Sequence, residues 1–527
     1  MGLGASKRTY ARYSSHRCQK KIQACLDALG RMLAGDSFAV ASTQTGMEIE
    51  LNLVDETLQP AMTNQLLLER IGDPAFQTEL GQHMIEFNVR PRPLVGDETL
   101  DLEHELCATL NTVTEVARTA DVGVVMIGIL PTLRQDHFDQ RWISAKPRYT
   151  QLNRKILAAR QNNLQLDIEG TLLAGDKPER LQCSWDSILP ASGATSVQLH
   201  LQVSSEAFAA HWNAAQALAG VQVAVAANAP FLLGRALWHE TRIPLFEQTL
   251  DTRSPDHPTQ DVPPRVWFGE RWITSILDLF EENVRYFAPL LPDIHDEDPL
   301  AVLAARGTPS LAELRLHNST IWRWNRPVYD ATDGQPHLRI ENRVLPAGPT
   351  VIDMLANAAF FWGATLGLAT IDPPIWTQMS FHTARHNLYA GARHGMDAHL
   401  YWPGIGQIRP DELVLDTLLP LAHEGLRNSG MSDTARQRYL NVIEQRCTTH
   451  RTGASWQRAT VQALTSQTAD RPMALATMLR RYIDHMHTNQ PVHTWPWPDT
   501  RPARPNPPAV TTATPPSADS TQLGQAC

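Results

Sequence analysis

The sequence predicts an α+β chain built round a largely antiparallel sheet, with a mainly helical C-terminal part. Two observations carry this. Stretches with apolar residues at alternate positions are scattered among stretches with apolar residues three or four apart, without the strict β-α-β alternation of a doubly wound fold. The 527 residues are 43% hydrophobic, enough for a large core and too many for one small domain.

Taken in order, residues 15–35 predict a helix, with Ile22, Cys25, Leu26, Leu29 and Leu33 at helical spacing. Residues 40–54 switch to period two, as does Met84 to Val89. Residues 98–120 return to helical spacing, and the apolar run Val122 to Ile129 reads as a buried strand. Strands are predicted at 195–204, 311–317 and 337–344, and helices near 206–228 and 270–286. After Pro349 the helices lie near 350–368, 410–427, 431–447, 454–467 and 471–487. Residues 489–527 are rich in Pro, Thr, Ser and Ala, too polar to bury a core, and read as a disordered tail. This divides the chain into a helical segment (1–38), a catalytic domain (39–370), a helical extension (371–488) and the tail (489–527).

The formal net charge is −9 and no basic stripe is evident, which argues against a nucleic-acid partner. The last lysine is Lys177, so an anion clamp in the second half must be built from arginine, and lysine Schiff-base chemistry is excluded there. The six cysteines are scattered without a C-x-x-C pair, which fits a reducing cytoplasm better than a zinc site or disulfide scaffold. No apolar run reads as a membrane span, and the N-terminus has no signal-peptide core, although Met1 to Ser6 fits the short myristoylation pattern. The expectation is a cytoplasmic protein with no membrane partner.

Four short stretches carry candidate chemistry. In Gly46-Met47-Glu48-Ile49-Glu50-Leu51, strand geometry puts Glu48 and Glu50 on one face and the apolar residues on the other. Two like charges side by side repel unless a cation lies between them. Glu79 and Glu86 follow in Glu79-Leu80-Gly81-Gln82-His83-Met84-Ile85-Glu86-Phe87. In Val197 to Val203, Gln198, His200 and Gln202 share the face opposite the apolar residues. In His337 to Val344, Arg339, Glu341 and Arg343 share a face. Upstream, Ile321-Trp322-Arg323-Trp324-Asn325-Arg326-Pro327 sets arginine among tryptophans.

Taken singly, each stretch has a plain structural reading: a solvated strand edge, a hydrogen-bonded histidine, a surface ion-pair ladder, or cation–π packing. Taken together on one sheet, they would gather Glu48, Glu50, Glu86, Glu341, His200 and several arginines on one surface. Hard divalent cations take carboxylate oxygens, magnesium joins them to substrate phosphates, and arginines neutralise a transferring phosphoryl group. Such a surface can bind ATP without a Walker loop or a G-x-G-x-x-G turn, and the sequence has neither.

These motifs, in this order, resemble the glutamate–cysteine ligase superfamily, and more narrowly its second family, the bacterial carboxylate–amine ligases. Trp322 to Pro327 resembles that branch's I-W-x-x-x-R-P element. The resemblance covers roughly residues 40–370 and implies a glutamine-synthetase-like catalytic domain, whose curved antiparallel sheet holds ATP and Mg²⁺, or Mn²⁺. It implies Glu48, Glu50, Glu79, Glu86 and Glu341 as metal ligands, with His200 beside the metals. It assigns Arg343 to phosphate and Arg326 to phosphate or substrate; Arg339 joins them on strand phase alone. The implied reaction activates glutamate as an acyl phosphate and passes it to an amine, cysteine in the named activity. The substrates are small molecules, and a homo-oligomer is compatible. Val197-Gln198-Leu199 stands where smaller members have a glycine-flanked segment, and Leu345 to Pro349 replaces an acidic turn; both touch the acceptor side.

Three other functions compete: a ligase using a different amine, a silent relative binding a nucleotide or amino acid, and a glycoside hydrolase. A silent site has no need of the intact acids, and a hydrolase has no need of metal or of the arginines.

Overall fold

Strand pairing brings the predicted strands into one strongly curled antiparallel sheet. The computed structural model describes residues 3–35, 38, 43–173, 177–254, 262–331, 334–468 and 470–498. The sheet strands are β1 (Gln44–Val54), β2 (Phe76–Thr78), β3 (Met84–Pro93), β4 (Gly123–Val125), β5 (Val197–Val203), β6 (Asn325–Asp330) and β7 (His337–Asn342). Their order is β6-β7-β5-β1-β3-β2, with β4 pairing the end of β1.

Period two explains the sheet's two faces. Met47, Ile49, Leu51, Leu199, Leu201, Leu338 and Ile340 are buried on one face. Around the sheet lie the helices α1 to α11, in chain order Leu3–Ala34, Glu98–Arg118, Pro147–Arg160, Phe208–Ala226, Arg242–Thr249, Val351–Leu368, Phe381–His394, Leu419–Ser429, Asp433–Thr449, Gly453–Thr468 and Arg471–Met486. Of these, α2, α4 and α6 pack directly against the sheet strands. Helices α4 and α6 are mainly apolar and buried on nearly every side, as enclosed helices are.

The core face carries one polar patch. Asn325 Nδ2 donates to Gln216 Oε1 at 2.7 Å, and Asn342 Nδ2 donates to Asn325 Oδ1 at 2.8 Å and Gln222 Oε1 at 3.2 Å. All four amides are buried, and they tie β6, β7 and α4 together.

Some expectations are corrected. Residues 311–317 form a helix, Ala312–Asn318, not a strand. Leu311 and Leu314 are both buried and lie three apart, a helical spacing that the alternating leucines of this stretch disguise. The apolar run at 122–129 is a strand only at Gly123–Val125. Helix α6 is long and apolar enough to cross a membrane, contrary to the reading that no such run exists; 94% of it is buried inside the protein, as a core helix is. Residues 489–498, read as the start of a disordered tail, are packed: Trp495 is buried edge-on against Trp456 and Tyr482. The rest of that tail lies outside the described residues.

The C-terminal helices are pinned to the N-terminal half. Arg438 of α9 donates to both carboxylate oxygens of Glu103 in α2 at 2.7 Å, and the Tyr439 hydroxyl donates to Glu103 at 2.9 Å. Burial opposes the Glu103 charge, but these bonds outweigh it and hold the carboxyl below its ordinary range. A depressed folded pKa stabilises above the unfolded value of about 4, and that stability drains away as pH falls through the folded pKa. Urea midpoints of the wild type and Glu103→Gln should therefore differ at neutral pH and converge below about pH 4. A pH-independent gap would remove this assignment.

Candidate active site

Register decides which side chains meet. Glu50 of β1 lies directly opposite Glu86 of β3. His200 of β5 lies between Gly46 on one side and Glu341 of β7 on the other. Arg326 of β6 pairs across from Glu341. The sheet's second face thus gathers Glu48, Glu50, Glu86, His200, Arg326, Arg339 and Glu341, with Glu79 just past β2 and Arg343 just past β7.

A cavity of about 360 Å³ opens over this face. Glu50, Glu79 and Glu86 line one part of it and Arg148, Arg326 and Arg343 another. Beneath the arginines, Glu341 is 1% exposed. Arg326 donates to Glu341 Oε2 from Nε at 3.1 Å and from Nη2 at 2.6 Å, and Arg343 pairs with Oε1. Burial alone would raise the Glu341 pKa; Arg326 and Arg343, with His200, hold it well below the usual carboxylate range. Burial works against the Arg343 charge too, but Glu341 and then Glu48, Glu50 and Glu86 outweigh it.

The other acids are in tension. Burial, and then Glu79, push Glu50 up to about 7, although Ser196 N donates to it at 2.5 Å and Gln198 at 3.2 Å. Burial, followed by Glu79, Glu48 and Glu50, pushes Glu86 up to about 10. Glu79 is raised as well, first by burial, while Leu80 N donates to it at 3.1 Å. Carboxylates that raise one another in this way would be relieved by a cation among them. Their oxygen chemistry fits a hard divalent ion. Among the described residues, however, no set of three or more His, Cys, Asp or Glu is drawn together for one.

Glu48, His200 and Arg339 form a file beside the cavity rather than part of its lining. Arg339 Nε donates to His200 Nδ1 at 3.1 Å, and His200 Nε2 lies 3.1 Å from Glu48 Oε1. An Nδ1 that accepts leaves Nε2 as the N–H that donates. Both ring nitrogens are then engaged, and His200 orients Glu48. Burial raises Glu48, but the hydrogen bond and charge of His200, with Arg343, together outweigh it and the carboxyl is lowered. Arg339 also reaches Asp330 at 3.5 Å and His337 at 3.1 Å.

Several lining residues had no signal in the sequence. Arg148 and Tyr149 arrive on the first turn of α3. The Tyr149 hydroxyl donates to the Thr78 carbonyl at 2.9 Å, which fixes the residue before Glu79. Phe246 of α5 meets Trp322 edge-on at 6.2 Å, making an aromatic wall. Arg242, buried with Glu240, donates to the Val344 carbonyl at 2.7 Å and so braces the residue after Arg343.

The sequence model of glutamate–cysteine ligase family 2 matches residues 44–477. No curated protein sequence matches the chain. Among solved structures, glutamate–cysteine ligase from Francisella tularensis, in complex with AMP, is similar with a TM-score of 0.52 at 12% identity, over 86% of this chain and 90% of that one. A bifunctional glutathione synthetase from Pasteurella multocida gives a TM-score of 0.46 at 10% identity, over 87% of this chain and 54% of that one. At such identity the first likeness is one of fold.

Proposed function

The chain belongs to glutamate–cysteine ligase family 2, a family of ATP-dependent carboxylate–amine ligases, and from that premise we propose that it joins the γ-carboxylate of glutamate to an amine, cysteine foremost. The observation that carries the reading is the cavity in which Glu50, Glu79 and Glu86 face Arg326 and Arg343.

In this reading a carboxylate oxygen of glutamate attacks the γ-phosphorus of ATP, and the bond to the bridging oxygen breaks to release ADP. The amine then attacks the acyl carbon, loses a proton, and phosphate leaves with the C–O bonding pair. Arg326 and Arg343 hold phosphoryl oxygens, and their shared anchor Glu341 keeps both forks aimed at one place. Glu50, Glu79 and Glu86 would hold Mg²⁺, with Glu48 set by His200 and Glu341 at its margin. When bound, the ion supplies charge neutralisation for the phosphates. Arg339 acts one step removed, by holding His200.

The aromatic wall of Phe246 and Trp322 beside Arg148 favours, as a second reading, an acceptor bulkier than cysteine. One assay tests both. The protein is incubated with ATP, Mg²⁺ and glutamate, alone and with cysteine or a panel of other amines, and ADP is followed. ADP release that depends on glutamate and rises with cysteine is expected. Release with another amine alone would move the acceptor and leave the ligase; no ADP with any acceptor would overturn the ligase.

A further inference from the structure

Another cavity, of about 580 Å³ and lined by more arginine than acid among the described residues, shares no lining residue with the first. Arg458 of α10, Arg393 and His394 of α7, and His239 line it. Arg458 is 8% exposed. Its guanidinium donates to the carbonyls of Leu172 at 2.7 Å and Leu237 at 3.5 Å; Asp397 and Glu179 act on its charge without a contact ion pair, and burial outweighs them and pushes it down to about 10. A guanidinium has five N–H groups in a fixed fork, so donors remain for something else. A buried charge with no acid in contact is costly, and an anion at its free donors would offset that cost.

Neighbouring groups point the same way. Arg393 Nε is buried without a hydrogen-bond partner, and the guanidinium lies 5.9 Å over the ring of Trp238. Asp397 is the one acid among the described lining residues, and it is already answered: His450 bridges it and Asp411 at 3.2 Å each. Burial, then Arg458, pushes His239 down to about 3, and burial, then Arg393, lowers His394. The histidines are thus neutral, and the two arginines supply the charge. A neighbouring cavity of about 460 Å³, also lined by Arg393, His394 and Asp397, extends the space past Trp238.

We propose that this cavity, centred on Arg458 and Arg393, binds a small phosphate-bearing anion at a site separate from the candidate active site. Planar guanidinium forks match the oxygens of a phosphate bidentately. The proposal stands apart from the ligase reading, because it uses none of that reading's residues.

Inorganic pyrophosphate is the probe, titrated calorimetrically into the full chain in an Arg343→Gln background that weakens the first cavity's hold on phosphate. One saturable site should persist there. Adding Arg393→Gln should weaken it about tenfold or more, the worth of a charge-assisted contact. Arg458→Gln should do the same, and if that buried substitution unfolds the chain, the half-exposed Arg393→Gln decides alone. No saturable binding in the Arg343→Gln protein, or binding that Arg393→Gln leaves unchanged, would overturn the proposal.

Discussion

Glu341→Gln should lower turnover on the order of a thousandfold while the chain stays folded, the scale of removing one preorganised electrostatic group from a buried site. Glu341 accepts from two guanidiniums at once, one on each carboxylate oxygen. Glutamine keeps the volume, but one of its two polar ends is now a donor aimed at a donor. Arg326 and Arg343 then lose their common anchor, and Glu48 is left as the next acid acting on both. The phosphate-holding geometry should be lost in both half-reactions, so the Michaelis constant for ATP should rise as kcat falls. A stability loss of about 3 kcal/mol is expected too, since breaking one member of a buried ion-pair cluster strands the others. Circular dichroism and urea unfolding separate the effects. A folded Glu341→Gln protein with near-normal turnover would dismiss the assignment of Glu341, and with it the shared-anchor account of both arginines.

Gly425→Val should destabilise the chain by about 3 kcal/mol or more, among the largest effects of any single substitution. Helices α6 and α8 cross through glycines. A Cβ on Gly425 would drive into the Gly363 carbonyl and come within 2.9 Å of Gly367 N. A Cβ on Gly363 would meet Leu426 Cγ at 2.8 Å and the Ala422 carbonyl carbon at 3.0 Å. The obstacle is backbone on a neighbouring helix, which cannot swing aside as a side chain can. Gly30 is the control. It lies in helix α1, and a Cβ there would meet only Leu277 Cδ2 at 3.7 Å. Gly30→Ala should be neutral or stabilising by under about 1 kcal/mol, because alanine is the better helix former. Urea midpoints for the pair test the claim. If Gly425→Val unfolded no sooner than Gly30→Ala, the crossing would be looser than described.

How much of this was legible in the sequence depended on distance along the chain. Strands β1, β3, β5 and β7 announce themselves, because alternation sorts Glu48, Glu50, His200 and Glu341 onto one face without reference to any neighbour. Their order in the sheet is a long-range fact. Nothing local says that Glu50 lies opposite Glu86, or that Arg326 lies opposite Glu341. The cavity wall was less legible still. Arg148 and Tyr149 sit in a helix whose sequence is polar and weakly patterned, and their relation to Thr78 and Ser319 exists only after folding. The arginine file misled in one respect. Strand phase placed Arg339 beside Glu341, whereas its guanidinium turns to His200 and Asp330. The segment after residue 370 hid helix α7, and residues 311–317 showed that seven residues with three leucines cannot tell strand from helix.

The buried amides of β6 and β7 have a consequence for how the chain assembles. A strand that pairs one residue out of place turns every side chain over. Apolar strands tolerate such errors for a time, since one leucine is much like the next. Here a slip of β7 would push Arg339 and Glu341 into the core and deprive Asn325 and Gln222 of the bonds that Asn342 donates. Each stranded amide costs about 1–3 kcal/mol. The four amides therefore serve as a proofreading device, rejecting a misaligned strand before the charged face above is asked to do any chemistry.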